Sequence, residues 1–210
     1  MRPRQRARRL SRLAAAASIL AGGCLAAGCL APPAPRDRYY RVDVAAPAPL
    51  AAPAFAGVLE IERFEADSAG RGTALAVVAD GSREVKRREF DHWVDSPTLL
   101  IQQQLAAALR TAGLAGEVVT PEVGVEADHQ LGGRLVRFEE VRGESPPRVV
   151  VEIEVAITAP RRTALELRAT YREEREIEGS GVEDVVRAYD AALSAVVARL
   201  AADSASRSSR

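Results

Sequence analysis

Val149, Val151, Ile153, Val155 and Ile157 alternate with Val150, Glu152, Glu154, Ala156 and Thr158. That period of two predicts a strand with one apolar and one wet face. After a short Pro160-Arg161-Arg162 turn, Leu165, Leu167, Ala169 and Tyr171 alternate with Glu166, Arg168, Thr170 and Arg172, so the two segments form an antiparallel hairpin with a charged outer face. Residues 58–65, 73–79, 84–93, 118–119 and 133–141 carry weaker strand patterns, with Asp80-Gly81 supplying a tight turn. Two stretches change the period. Ser96-Pro97 offers an N-cap and a first-turn proline, Ile101, Leu105, Leu109 and Ala112 follow at helical spacing, and Gly113 closes a helix over about residues 97–112. Ser180-Gly-Val-Glu183 has the form of a capping box, and Val182, Val185, Val186, Tyr189, Leu193, Val196 and Leu200 recur at three- and four-residue steps, predicting a helix over about residues 182–201. The expected fold class is α+β, a mostly antiparallel sheet with the two amphipathic helices packed on one face.

The ends of the chain read differently. The first twelve residues hold six arginines and no acid, and residues 13–28 hold no charge, the pattern of a cleavable signal peptide over residues 1–28. This apolar run is too short and too rich in Ala and Gly for a spanning helix, which needs about 20 strongly apolar residues. It ends in Leu25-Ala-Ala-Gly-Cys29 and contains Leu20-Ala-Gly-Gly-Cys24, both similar to the lipobox of bacterial lipoproteins. Cys29 is the expected lipidation site, because it leaves the longer apolar run and directly precedes Leu30-Ala-Pro-Pro-Ala-Pro; Cys24 is the alternative. Residues 29–54 then form a lipid-anchored Ala/Pro-rich tether that includes a first strand near 38–44. The α+β domain spans 55–200, and 201–210 is expected to be a disordered tail.

The formal charge of zero changes meaning once the signal is removed. Without its six arginines the chain holds 23 basic against 29 acidic residues, about −6, which disfavours a nucleic-acid partner. It also leaves membrane attachment to the acyl chains, at about 0.8 kcal/mol per buried methylene. Little in the sequence suggests catalysis. His92 in Phe90-Asp-His-Trp93 sits at a strand end with Asp91 on the opposite face, and His129 lies beside Asp128 in a polar stretch without further ligands. The Gly-rich stretches at 69–72 and 132–133 lack the context of phosphate loops, and the charge run 172–178 reads as a solvated strand edge. No enzyme activity, cofactor or metal is expected.

Taken in order, the pieces resemble the ABC-type transport auxiliary lipoprotein family, the lipoprotein component of MCE-type systems that includes the paraquat-inducible intermembrane transport lipoprotein. Arg38-Tyr39-Tyr40-Arg41-Val42 is similar to the family's tyrosine-bearing first strand, and Val58-Leu-Glu-Ile-Glu-Arg-Phe64 to its second. His92-Trp93-Val-Asp-Ser-Pro97 with Leu99-Leu100 and Leu105 resembles the run into its first helix. Leu135-Val-Arg-Phe-Glu139 and the valine strand match its central hairpin, and Tyr189-Ala-Leu its closing helix. The Ala/Pro stretch 45–53 departs from the pattern by its length. The resemblance implies a periplasm-facing, lipid-anchored outer-membrane protein. Its partner would be an MCE-domain protein whose complex moves lipid between membranes, and copies of the chain would form a homo-oligomeric ring. Leu30 after Cys29, where an aspartate would argue for inner-membrane retention, agrees. Tyr40, Trp93 and Pro97 are the structural residues the motifs single out. The rival reading is a stand-alone lipoprotein for outer-membrane assembly or cell-wall binding.

Overall fold

The computed structural model describes residues 34–143 and 146–208, and Cys24 and Cys29 lie outside them. Contacts divide the chain into the units Met1–Arg36 and Asp37–Arg210; the second contains all the elements that follow. In chain order these are β1 (Arg38–Tyr40), β2 (Phe55–Ile61), β3 (Glu65–Ala66), α1 (Ser68–Arg71), β4 (Ala74–Ala79), β5 (Val85–Trp93), α2 (Pro97–Thr111), β6 (Ala115–Val119), β7 (His129–Arg142), β8 (Arg148–Ala159), β9 (Ala164–Glu176) and α3 (Val182–Ser208).

The class is α+β, but the sheet is mixed rather than mostly antiparallel in its connections. One edge of β7 carries the antiparallel hairpin of β8 and β9. The other edge is shared by three parallel partners: β2 at His129–Leu131, β3 at Arg134-Leu135 and β4 at Glu140–Arg142. Beyond them β6 pairs β2 and β1 pairs β5, both parallel, while β5 returns antiparallel along β4. The correction has a simple cause: alternation shows which face a residue takes and carries no information on strand direction, and parallel neighbours arrive by long crossovers. A bulge between Leu135 and Arg137 also interrupts β7. Val136 is the extra residue, and past it the facing set shifts, so Phe138 and Glu140 turn inward.

Both helices join one apolar core with the inner face of the sheet. Pro97 opens α2 at its first position, where a missing N–H costs nothing. The Ser96 hydroxyl does not cap as expected; it lies 3.1 Å from the Thr98 hydroxyl, and the Ser96 carbonyl accepts from Leu99 and Leu100. The far end closes through Gly113 at φ 66°, with Leu114 N–H donating to the Leu109 carbonyl and Gly113 N–H to Arg110. At the start of α3 the capping box is shifted by one residue: Gly181 N–H donates to Asp184 Oδ2 at 2.8 Å, so Asp184 rather than Glu183 reaches back.

α3 does not fray after Ala201. It runs to Ser208, where a disordered tail was expected, because its last two turns are held by tertiary contacts. Ala201 and Ser204 are buried, the Tyr171 hydroxyl donates to Asp203 Oδ2 at 2.8 Å, and Arg207 donates to the Glu166 carbonyl at 3.2 Å. The tether reading changes as well. Strand pairing is confined to Arg38–Tyr40, and the residues after it are strapped across the helices. Asp43 N–H donates to Asp190 at 2.8 Å, Val44 N–H to Gln104 at 3.1 Å and Ala45 N–H to Ser194 at 2.9 Å, with Val42 and Val44 buried beneath.

Candidate functional site

Three of the residues singled out by the sequence meet where β5 runs into α2. Trp93, at the end of β5, is 1% exposed, with its ring 5.4 Å from Phe138 and 5.1 Å, edge-on, from Tyr189; Phe138 and Tyr189 are 4.4 Å apart. Such pairs add about 0.5 to 1.5 kcal/mol each beyond their buried area. Pro97 is buried one short loop later, and Tyr40 lies opposite Trp93 in the parallel pairing of β1 with β5, its carbonyl accepting from Val94 N–H at 2.9 Å. Burial and the neighbouring Asp91 carboxylate push the Tyr40 phenol above its ordinary value.

Beside the rings runs an ion network that sequence reasoning missed. Asp91, 5% exposed, accepts from Arg38 at 2.8 Å and from Arg88 at 3.4 Å; Arg88 donates to Glu140 at 2.8 Å, and Arg142 closes the chain on the same carboxylate. Glu140 is fully buried. Only the bulge in β7 puts it inside, and a bulge leaves no mark in an alternating pattern. The network fastens β1 and hence the start of the domain. His92 points away from Asp91, as expected of strand neighbours, and stands 3.8 Å from Asp37 with its ring 5.6 Å from Tyr39. Burial, followed by the charges of Glu140 and Glu139, holds the Tyr189 phenol well above its ordinary value. Its hydroxyl has no hydrogen-bond partner among the described residues.

The opposite end of β7 carries a cavity of about 760 Å³ whose walls include Phe55, Asp128, His129, Arg161, Glu166 and Arg207. His129 is the first residue of β7 and is 4% exposed, not part of a polar loop. The pairing of its strand with β2 draws it inward, and it is not without a neighbour: Nδ1 stands 2.6 Å from Glu166 Oε2 and Nε2 3.0 Å from the Ala56 carbonyl. The imidazole thereby bridges β2, β7 and β9. The rim is ionic. Arg161 meets Glu126 at 2.7 Å and Asp128 at 3.7 Å, and Arg162 meets Glu166 at 3.3 Å. Ser204 also lines the cavity, with its hydroxyl spent on the Leu200 carbonyl at 2.8 Å. Among the described residues no three His, Cys, Asp or Glu side chains gather as metal ligands, and no helix is long and apolar enough to cross a membrane.

No curated protein matches the chain. Among solved structures, protein XCC0632 from Xanthomonas campestris superposes with a TM-score of 0.71 at 17% identity, covering 81% of this chain and 96% of that one. The crystal structure of an uncharacterized protein gives 0.60 at 14% identity, covering 81% and 97%. Protein CT253 from Chlamydia trachomatis gives 0.48 at 9% identity, covering 71% and 98%. The first two share the fold. Residues 40–201 match the family described as the ABC-type transport auxiliary lipoprotein component, a span that runs from the Tyr40 strand to the buried part of α3. The chain belongs to the family of ABC-type transport auxiliary lipoprotein components.

Proposed function

We propose that the chain is a lipid-anchored, periplasm-facing subunit of the outer membrane that serves an MCE-type ABC system for intermembrane lipid transport. In this reading it works by docking onto the MCE protein and has no catalytic chemistry of its own. The family match over residues 40–201 carries the transport part. The docking part follows from where the apolar surface goes. The stripes of α2 and α3 and the inner face of the sheet are consumed by one shared core. The cavity at the end of the sheet is rimmed by Arg161, Arg162, Arg207, Asp128 and Glu166, and Phe55 is the one large apolar side chain in its wall, fewer than an acyl chain needs. Cys29 is the acylated residue in this reading, placing the lipid nine residues before Arg38, where β1 is clamped by Asp91.

Two measurements test this. Mass spectrometry of the mature N-terminus should find an acylated Cys29; acylation at Cys24, or continued lipidation of Cys29→Ser, overturns the anchor. The protein purified in detergent should bind the MCE protein and yield only trace phospholipid on extraction with solvent. Stoichiometric phospholipid with no affinity for the MCE protein would make it a lipid carrier instead.

A further inference from the structure

Strands β2 and β9 are both bulged at the end of the sheet where β7 begins. From Phe55 to Val58, β2 advances three residues while its partner β6 advances two, and Gly57 lies at φ 83°. In β9, Leu167 faces Ile157 and Leu165 faces Thr158, which leaves Glu166 as the extra residue. Strict alternation predicts Leu165 on the apolar face beside Leu167. Instead Leu165 is 61% exposed, Leu167 is buried, and Glu166 reaches His129. The bulge thus gives up the burial of a leucine for a carboxylate contact, and re-aiming a side chain is what such bulges commonly do. His129, itself buried, stands between the two distortions. Its Nδ1 faces Glu166 Oε2 at 2.6 Å and its Nε2 faces the Ala56 carbonyl, inside the β2 bulge, at 3.0 Å. A carboxylate and a carbonyl both accept, whereas a neutral imidazole has one donor and one acceptor nitrogen; only the doubly protonated ring donates at both contacts.

We propose that His129 is a proton-dependent latch: the doubly protonated ring ties the β2 bulge to the β9 bulge across the start of β7, and loss of one ring proton to solvent frees β2. The bond from Nδ1–H to the carboxylate is charge-assisted and the stronger of the two, so the proton that leaves is the one on Nε2. Its lone pair then opposes the Ala56 carbonyl, and that contact opens. The latch is therefore closed at low pH and released as pH rises. Five charged groups surround the pair. Glu166 comes from β9, Arg161 and Arg162 from the β8–β9 turn, Asp128 from the residues before β7, and Arg207 from α3. Asp128 is occupied by the Val58 N–H at 3.0 Å and by Arg161, Arg162 stands on the second Glu166 oxygen, and Arg207 donates to the Glu166 carbonyl. These contacts keep the carboxylate in place after the ring proton has gone. Release is thereby confined to the segment Ala54–Gly57, which is a wall of the cavity at this end of the sheet. The latch needs no partner and is independent of the docking reading.

The test is NMR of the imidazole nitrogens and backbone amides of the full chain in detergent, followed from about pH 5 to about pH 9, the span over which histidine side chains change charge. At the acid end both His129 nitrogens should carry protons. As pH rises Nε2 should lose its proton, and the backbone signals of Ala56, Gly57 and Val58 should move in the same step. Glu166→Gln separates a latch from a merely structural contact. Its side-chain amide donates to a bare Nδ1 while Nε2–H keeps the Ala56 carbonyl, so the neutral ring satisfies both neighbours and the backbone step should vanish. His92→Gln, which removes the other histidine, should leave the step in place. A bare ring nitrogen on His129 at the acid end, both protons retained at the alkaline end, or a ring that titrates with no movement at Ala56 would each overturn the proposal in the unaltered chain alone. A step of undiminished size in Glu166→Gln, or its loss in His92→Gln, would overturn it as well.

Discussion

Trp93 is the buried centre of an aromatic trio. Its ring closes against Phe138 and Tyr189 at a corner where β1, β5 and α2 meet. Trp93→Ala should lower stability by about 3 to 5 kcal/mol in denaturant titration, the range for a fully buried aromatic; an unchanged melting temperature with lost transport would make Trp93 a contact residue instead. Tyr189 points the opposite way. Its hydroxyl is buried and unpaired among the described residues, and an unmet buried polar group costs about 1 to 3 kcal/mol. Tyr189→Phe should therefore raise stability by about 1 kcal/mol, and a decrease would show that the hydroxyl is satisfied in solution. Both Tyr189 and Tyr171 have phenols held above their ordinary value by burial, the latter also by its bond to Asp203. The folded state keeps these protons after the unfolded chain has released them. Stability should thus be unaffected by these groups below about pH 10 and fall as pH rises above it. Chemical denaturation at pH 9 and pH 11 measures this, and Tyr189→Phe should flatten the fall.

At the scale of elements, the sequence shows the pieces better than their connections. The β8–β9 hairpin, both helices and the Gly113 closure follow directly from alternation, helical spacing and turn chemistry, because each is fixed by neighbours along the chain. What escaped depends on distant partners. The bulge that turns Glu140 inward, the parallel pairings on β7 and the His129–Glu166 contact 37 residues apart have no local pattern. The last turns of α3 belong to the same class: residues 202–208 are polar enough to look unstructured, and distant partners such as Tyr171 and the Glu166 carbonyl hold them. Truncation after Ala201 should therefore destabilise the protein by about 1 to 3 kcal/mol, from the lost Tyr171–Asp203 charge-assisted bond and the newly exposed core edge. An unchanged melting temperature would return these residues to the status of a tail.

For the whole molecule, the Asp37–Arg210 unit buries the apolar stripes of α2 and α3 and the inner face of its sheet in one shared core. Clamps at Arg38, Asp43, Val44 and Ala45 tie the start of this unit to its sheet and helices. Its family places it in an ABC transport system. The most direct test of the central claim is quantitative mass spectrometry of what co-purifies with the chain from detergent-solubilised envelopes. The central claim predicts the MCE protein in fixed proportion and only trace phospholipid. Recovery of the chain without the MCE protein, but with bound phospholipid in equal amount, would contradict it.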